Sequence, residues 1–111
     1  MNVQRGDIIY LRDNAYFAVK GHIEGGSRPL LVVSNDKGNR FSNICVVCPL
    51  TTNKKRVDLP THTLVNNGAS LVMCEQFFTV NQADVKKIIG HVKTKEMIKV
   101  NECLMNSLEL W

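Results

Sequence analysis

The sequence predicts a mainly β domain, a small twisted barrel or sandwich closed by one C-terminal helix. Three observations carry this expectation. Short apolar runs rich in β-branched residues recur through the first 80 residues. Turn chemistry separates them, at Gly25-Gly26, at Asp36 to Asn39 and at Asn66-Asn67-Gly68. The last 18 residues instead carry apolar side chains at helical spacing. Several short strands so closely spaced favour closure into a compact all-β body.

Taken in order, "DIIYL" (7–11), "RPLLVVS" (28–34) and "ICVVCPL" (44–50) read as the first strands. "KRVDLPT" (55–61) is a further candidate, and "LVMCE" (71–75) and "FFTV" (77–80) complete the set. "NQADVKKIIGHV" (81–92) reads as a short helical turn followed by an edge segment. In "TKEMIKVNECLMNSLELW", Met97, Val100, Leu104, Leu108 and Trp111 form one stripe of a helix, a packing face for the core. Thr94 suits its N-cap, and Glu96 lies in the first turn, where the helix dipole favours an anion. The expectation is one domain over 1–111, with the barrel at about 3–92 and the helix at about 94–110. A chain of 111 residues can bury a core without staples.

Composition narrows the function classes. Apolar residues make up 44% and charged residues 22%, an ordinary globular balance. Lysine and arginine total 14 against 10 acids, a net charge of +4 that admits an anionic partner such as nucleic acid without requiring one. The longest apolar run, "ICVVCPL", is far too short to cross a bilayer, so no membrane partner is expected. The N-terminal "MNVQRGD" is polar and charged, so no signal peptide is expected. The cytoplasm follows as the compartment, with the four cysteines as reduced thiols.

Cys45 and Cys48 have the spacing of a metal or redox pair, but they sit inside a strand run. Residues three apart on a strand point to opposite faces and cannot grip one ion. They read as core residues, as do Cys74 and Cys103, and no metal is expected. His62 and His91 read as solvated or structurally bonded rings. His22 is different, because it lies six residues before Arg28 in the same glycine-rich loop. A histidine there can move a proton near neutral pH. Arg28 is held between that loop and a buried run, with Pro29 stiffening the chain after it. A guanidinium is a fixed cation whose planar fork of donors matches phosphate oxygens. In "PLTTNKKR", Thr51 and Thr52 end a strand, and Lys54, Lys55 and Arg56 follow as a basic rim suited to a nucleic-acid backbone. Glu75 and Gln76 leave "LVMCEQ" as a third polar pair, able to read base edges.

In combination and order, "RGDIIYL", "GGSRPLLVVSND", "GNRFSN", "PLTTN", "LPTH" and "VMCEQFFTV" resemble the MazF/PemK family of toxin endoribonucleases. The likeness runs from Arg5 to about Val80. It implies an SH3-like barrel with appended helices, working as a homodimer. It implies metal-independent cleavage of single-stranded RNA, often mRNA, at short sequences, with no cofactor. It also implies a cognate antitoxin that wraps the dimer. By position, the resemblance puts the family's catalytic arginine on Arg28, its strand-end hydroxyl on Thr51 and its RNA-contacting pair on Glu75 and Gln76. A functional histidine in some members falls on His22. Where many members have an acid-glutamine pair before the two glycines, this chain has Ile23-Glu24, so an RNA contact there falls to Glu24.

The implied chemistry is intelligible. Without a metal, RNA is cut by its own 2′-hydroxyl, and negative charge gathers on the non-bridging phosphate oxygens. An arginine and a hydroxyl fixed beside them stabilise that charge beyond the ground state. The general base is open among His22, Glu24 and water. Two other readings stand beside this one. A gyrase-poisoning toxin of the CcdB kind would act through its C-terminal helix, with Trp111 as the residue of interest. A catalytically silent barrel would serve only as a partner module.

Overall fold

The computed structural model describes residues 2–13, 15 and 28–111. Seven strands, one short α-helix, two 3-10 turns and a C-terminal helix make up most of this part. The strands are β1 (Asp7–Leu11), β2 (Leu30–Val32), β3 (Ile44–Thr51), β4 (His62–Val65), β5 (Ser70–Met73), β6 (Phe78–Asn81) and β7 (Val85–His91). Helix α1 (Asp36–Phe41) lies between β2 and β3, and helix α2 (Thr94–Leu108) ends the fold. Single 3-10 turns occupy Cys74–Gln76 and Gln82–Asp84.

All pairings are antiparallel, in the order β4-β5-β3-β2-β1-β7, with β6 also on β3. Among the described residues the sheet does not close edge to edge, so the expected barrel holds in a loose sense. Strand β3 joins its parts. One of its edges pairs with β2 through Val47 to Pro49. The other pairs with β6 over Ile44 to Val47, then with β5 at Leu50 and Thr51. Pro49 falls in the gap between β6 and β5. A residue without an N–H is tolerated there because no partner strand needs one.

The apolar runs are continuous because both faces of the sheet are buried. One cluster joins Ile8, Leu31, Cys48, Leu50 and Val72 to Met97, Val100 and Cys103 of α2. The other gathers Ile9, Leu30, Val32, Cys45, Val47, Phe78 and Val80 on the opposite face. Neighbouring residues alternate between the two, as the two-residue period of a strand requires. Cys45 and Cys48 accordingly lie in different clusters, and all four cysteines are buried free thiols. Burial pushes the Cys45 thiol up to about 11.

Four local expectations need correction. Residues 36–39 are not a turn but most of α1. Gly38 and Asn39 are poor helix formers, yet Asn35 caps the helix by accepting from Gly38 N at 2.7 Å. Buried Asn39 then donates to Ser34 O at 2.9 Å. Residues 55–61 are turns, and the strand beside them is β4, starting at His62. The N-cap of α2 is Lys93, not Thr94, and makes no side-chain cap bond. Glu96 reaches outward instead, accepting from Asn66 N at 3.2 Å and Asn67 N at 3.1 Å. Those residues and Gly68 all have positive φ (57°, 57° and 84°), and the N–H groups of the two asparagines converge on the carboxylate.

The fourth correction concerns the end of α2. The helix stops at Leu108, where Glu109 adopts a left-handed φ of 56° and Leu110 N donates back to Met105 O at 2.9 Å. The packed stripe is therefore Met97, Val100 and Cys103, with Leu104 partly buried beside them. Leu108 is 48% and Trp111 79% exposed, outside that stripe.

Polar clamps fix the chain around this core. Gln82 is buried between the N-terminus and α1. Its Oε1 accepts from Val3 N at 3.1 Å, and its Nε2 donates to Asn39 O at 2.7 Å, Ser42 O at 3.0 Å and Ile44 O at 3.2 Å. His91 Nδ1 lies 2.8 Å from Asp7 Oδ1, and its ring sits over Gly6, whose φ of +97° and missing Cβ make the room. Both histidines expected to be structurally bonded or solvated, His62 and His91, are bonded.

Candidate active site

The β2–β3 register brings the two leading site residues together. It pairs Leu30 with Pro49, and Leu50 N donates to Pro29 O at 3.1 Å. Continued by two residues, the same register sets Arg28 opposite Thr51. Both line an open cleft of about 210 Å³ with Pro29, Leu50, Thr52 and Ser70. Arg28 is half-buried, and its backbone is anchored by fully buried Leu30 and Leu31.

Thr51 is the last residue of β3, and its side chain shapes the exit. Its Oγ1 accepts from Asn53 N at 3.1 Å, and Asn53 Oδ1 accepts from Lys55 N at 3.1 Å. Two side-chain-made turns thus lead the chain out of the sheet. The bond to Thr51 uses a lone pair of the hydroxyl and leaves its proton for donation into the cleft. Ser70, the first residue of β5, is a further hydroxyl residue of the wall beside Thr51 and Thr52. Sequence reasoning missed it. The sign was available in the Asn66-Asn67-Gly68 turn, which fixes where β5 begins.

Lys54, Lys55 and Arg56 follow immediately on the exposed loop. Arg56 Nε lies 3.4 Å from Asp58 Oδ1 with both side chains mostly exposed, a pair worth little in water.

Glu75 and Gln76 sit in the 3-10 turn after β5, outside the residues lining the Arg28 cleft. Both carboxylate oxygens of Glu75 are engaged: Oε1 accepts from Thr61 Oγ1 at 3.0 Å, and Oε2 lies 2.9 Å from His62 Nε2. Gln76 Nε2 makes only long contacts, 3.4 Å to Glu75 Oε2 and 3.7 Å to Met73 Sδ. Desolvation is the largest single influence on Glu75 and pushes its pKa up. The bonds from His62, its own backbone and Thr61 together outweigh it and hold the carboxyl below its ordinary value. His22 and Glu24 lie outside the described residues.

A cleft that joins a half-buried guanidinium to strand-end hydroxyls, with basic residues following Thr52 closely in the chain, is chemically suited to a phosphodiester. Comparison with known proteins gives the family. Residues 4–108 match the family described as PemK-like, MazF-like toxin of type II toxin-antitoxin system. The chain is 36% identical over 120 aligned positions to Endoribonuclease EndoA of Bacillus subtilis, covering 99% of this chain and 97% of that one. It is 30% identical over 114 positions to Endoribonuclease MazF of Staphylococcus saprophyticus, covering 97% and 92%. Among solved structures it resembles a mycobacterial endoribonuclease in complex with its cognate antitoxin, with a TM-score of 0.81 at 23% identity over 98% and 97% of the two chains. It also resembles MazE-MazF of Deinococcus radiodurans, at 0.77 and 18% over 100% and 99%. These structural likenesses establish the shared fold.

Proposed function

This chain belongs to the PemK-like, MazF-like toxins of type II toxin-antitoxin systems, and from that premise we infer that it is the toxin of such a pair and cuts RNA at the Arg28–Thr51 cleft. It is an endoribonuclease, held in check by a cognate antitoxin protein and working as a homodimer. The observation that carries the siting is the single cleft shared by Arg28 and Thr51. The CcdB-like alternative is withdrawn, because the family match spans residues 4–108 and the relatives are named endoribonucleases. The silent-module reading becomes an outcome of the test below.

In the reaction we propose, the 2′-oxygen of the substrate attacks the adjacent phosphorus as a base takes its proton. The O2′–P bond forms and the P–O5′ bond breaks, and the leaving O5′ receives a proton. The products carry a 2′,3′-cyclic phosphate and a 5′-hydroxyl. Arg28 stabilises the charge on the non-bridging oxygens and can donate toward O5′, while Thr51 hydrogen-bonds the same phosphate. No metal is needed, because the cation at the phosphorus is the guanidinium. His22, Glu24 or water takes the first proton.

Lys54, Lys55 and Arg56 supply the cationic rim that follows the RNA backbone. The pair Glu75 and Gln76 belongs to the RNA path as the family resemblance implies, with Glu24 as a further contact. Unstacked bases of a single strand, with their edges accessible, are the readable form of RNA. Four buried reduced thiols support a reducing compartment, the cytoplasm.

The deciding experiment digests a long defined transcript in the presence of a chelator and maps the new 5′-hydroxyl ends. Cleavage at a recurrent short word is expected. Intact RNA after prolonged incubation with folded protein refutes the reading and favours the silent module.

A further inference from the structure

The loop 52–61 carries the three rim cations, yet most of it is exposed and contributes little to either apolar cluster. Polar bonds hold it in place. Asn106 of α2 donates to Pro60 O at 2.9 Å, Cys74 N donates to Thr61 O at 3.0 Å, and Thr61 bonds Glu75. The innermost of these is His62, whose side chain is only 5% exposed. Its Nδ1 lies 2.8 Å from Arg56 O and its Nε2 lies 2.9 Å from Glu75 Oε2.

Both neighbours of the ring are acceptors. A carbonyl oxygen cannot donate, and an ionised carboxylate cannot either. A neutral imidazole has one N–H and would turn a lone pair toward one of them. Only the imidazolium satisfies both, and burial raises the cost of failing to do so.

We infer that His62 and Glu75 are positioning residues for substrate binding: a doubly protonated His62, clamped between the Glu75 carboxylate and the Arg56 carbonyl, holds the Lys54–Arg56 segment beside the Arg28–Thr51 cleft. The substrate part of this rests on the proposed function. Fixing the backbone that carries three cations before RNA arrives removes part of the ordering cost of binding. It leaves the groups at the phosphorus untouched. The other groups around the pair are neutral or turned away. Thr61 offers a hydroxyl, Gln76 an amide and Asn106 an amide, Met73 pairs with His62 across β5, and the Arg56 guanidinium faces Asp58.

The test has two arms on the full-length chain. In the first, nitrogen NMR of the wild-type protein near neutral pH should find protons on both ring nitrogens of His62; a ring with one bare nitrogen overturns the assignment. This arm needs neither activity nor a variant, so it survives a misfolded mutant. In the second, a short single-stranded RNA containing the cleaved word is turned over by wild type, His62→Gln, Glu75→Gln and the double variant. His62→Gln should raise KM about tenfold with kcat close to wild type. The double variant should be no worse than the worse single one; additive effects would mean that His62 does not act through Glu75 and would overturn the shared clamp. Cleavage by wild type with an unchanged KM in His62→Gln overturns this inference alone. Absence of cleavage by wild type overturns the functional reading instead.

Discussion

In the proposed reaction, Arg28 and Thr51 divide the work of holding one phosphate, and they differ in what can replace them. Arg28→Ala should lower the cleavage rate by at least about 10²-fold, the usual effect of removing one fixed donor from a developing oxyanion, with the thermal midpoint unchanged. Arg28→Lys should recover little, because an ammonium lacks the planar fork; single-turnover rates on the mapped RNA word would check both. Arg28 and Thr51 were legible because each ends a strong apolar run, so their backbone positions follow from strand pairing. The role of His62 was not. A histidine at the start of a strand looks the same in a sequence whether solvent or two acceptors surround it, and both acceptors here come from turns. Glu75 adds a pH dependence. Its folded-state pKa is held below the ordinary 4.5, so its pairing stabilises the fold above that pH and is lost as pH falls through the depressed value. Melting from pH 7 to pH 3 should therefore show an acid loss that is smaller in Glu75→Gln.

Among the elements, most strands were readable from their apolar runs and α2 from its periodicity, whereas β4 and α1 were not. Helix α1 escaped because its stability comes from the Asn35 cap and the buried Asn39 amide rather than from helix propensity. Strand β4 escaped because the prolyl, polar stretch before it reads more like a strand than it is, while its own four residues are brief. Gln82 is the clearest case of an element held by one side chain. Its four bonds tie the N-terminus, α1 and the start of β3 to the β6–β7 connection. Gln82→Leu keeps the volume but strands a buried N–H and several carbonyls. The expected loss is about 2–4 kcal/mol, from roughly 1–3 kcal/mol per unsatisfied group with partial relaxation, measurable by urea unfolding. Replacing Met97 on the packed face of α2 with Ala should cost a similar amount, about 2–5 kcal/mol, whereas Trp111→Ala should leave stability nearly unchanged.

For the molecule as a whole, the net charge of +4 is modest, so RNA affinity should depend on where the cations are rather than on how many there are. Each rim lysine that meets a phosphate should add about 0.7 to the slope of log affinity against log salt. Lys54→Gln and Lys55→Gln should each flatten that slope, while Lys86→Gln on the far edge strand should not. Filter binding with a non-cleavable single strand across a salt series would distinguish them. β3 also has a bearing on persistence. Among the described strands it alone pairs with three others, and it contributes to both apolar clusters. Its amide hydrogens should therefore be among the last to exchange with deuterated water, released only when the whole domain opens. Thr51 hangs from the end of that strand. The phosphate-gripping end of the sheet would then keep its shape through every partial opening the domain undergoes, and heat would silence the toxin in a single step with global melting.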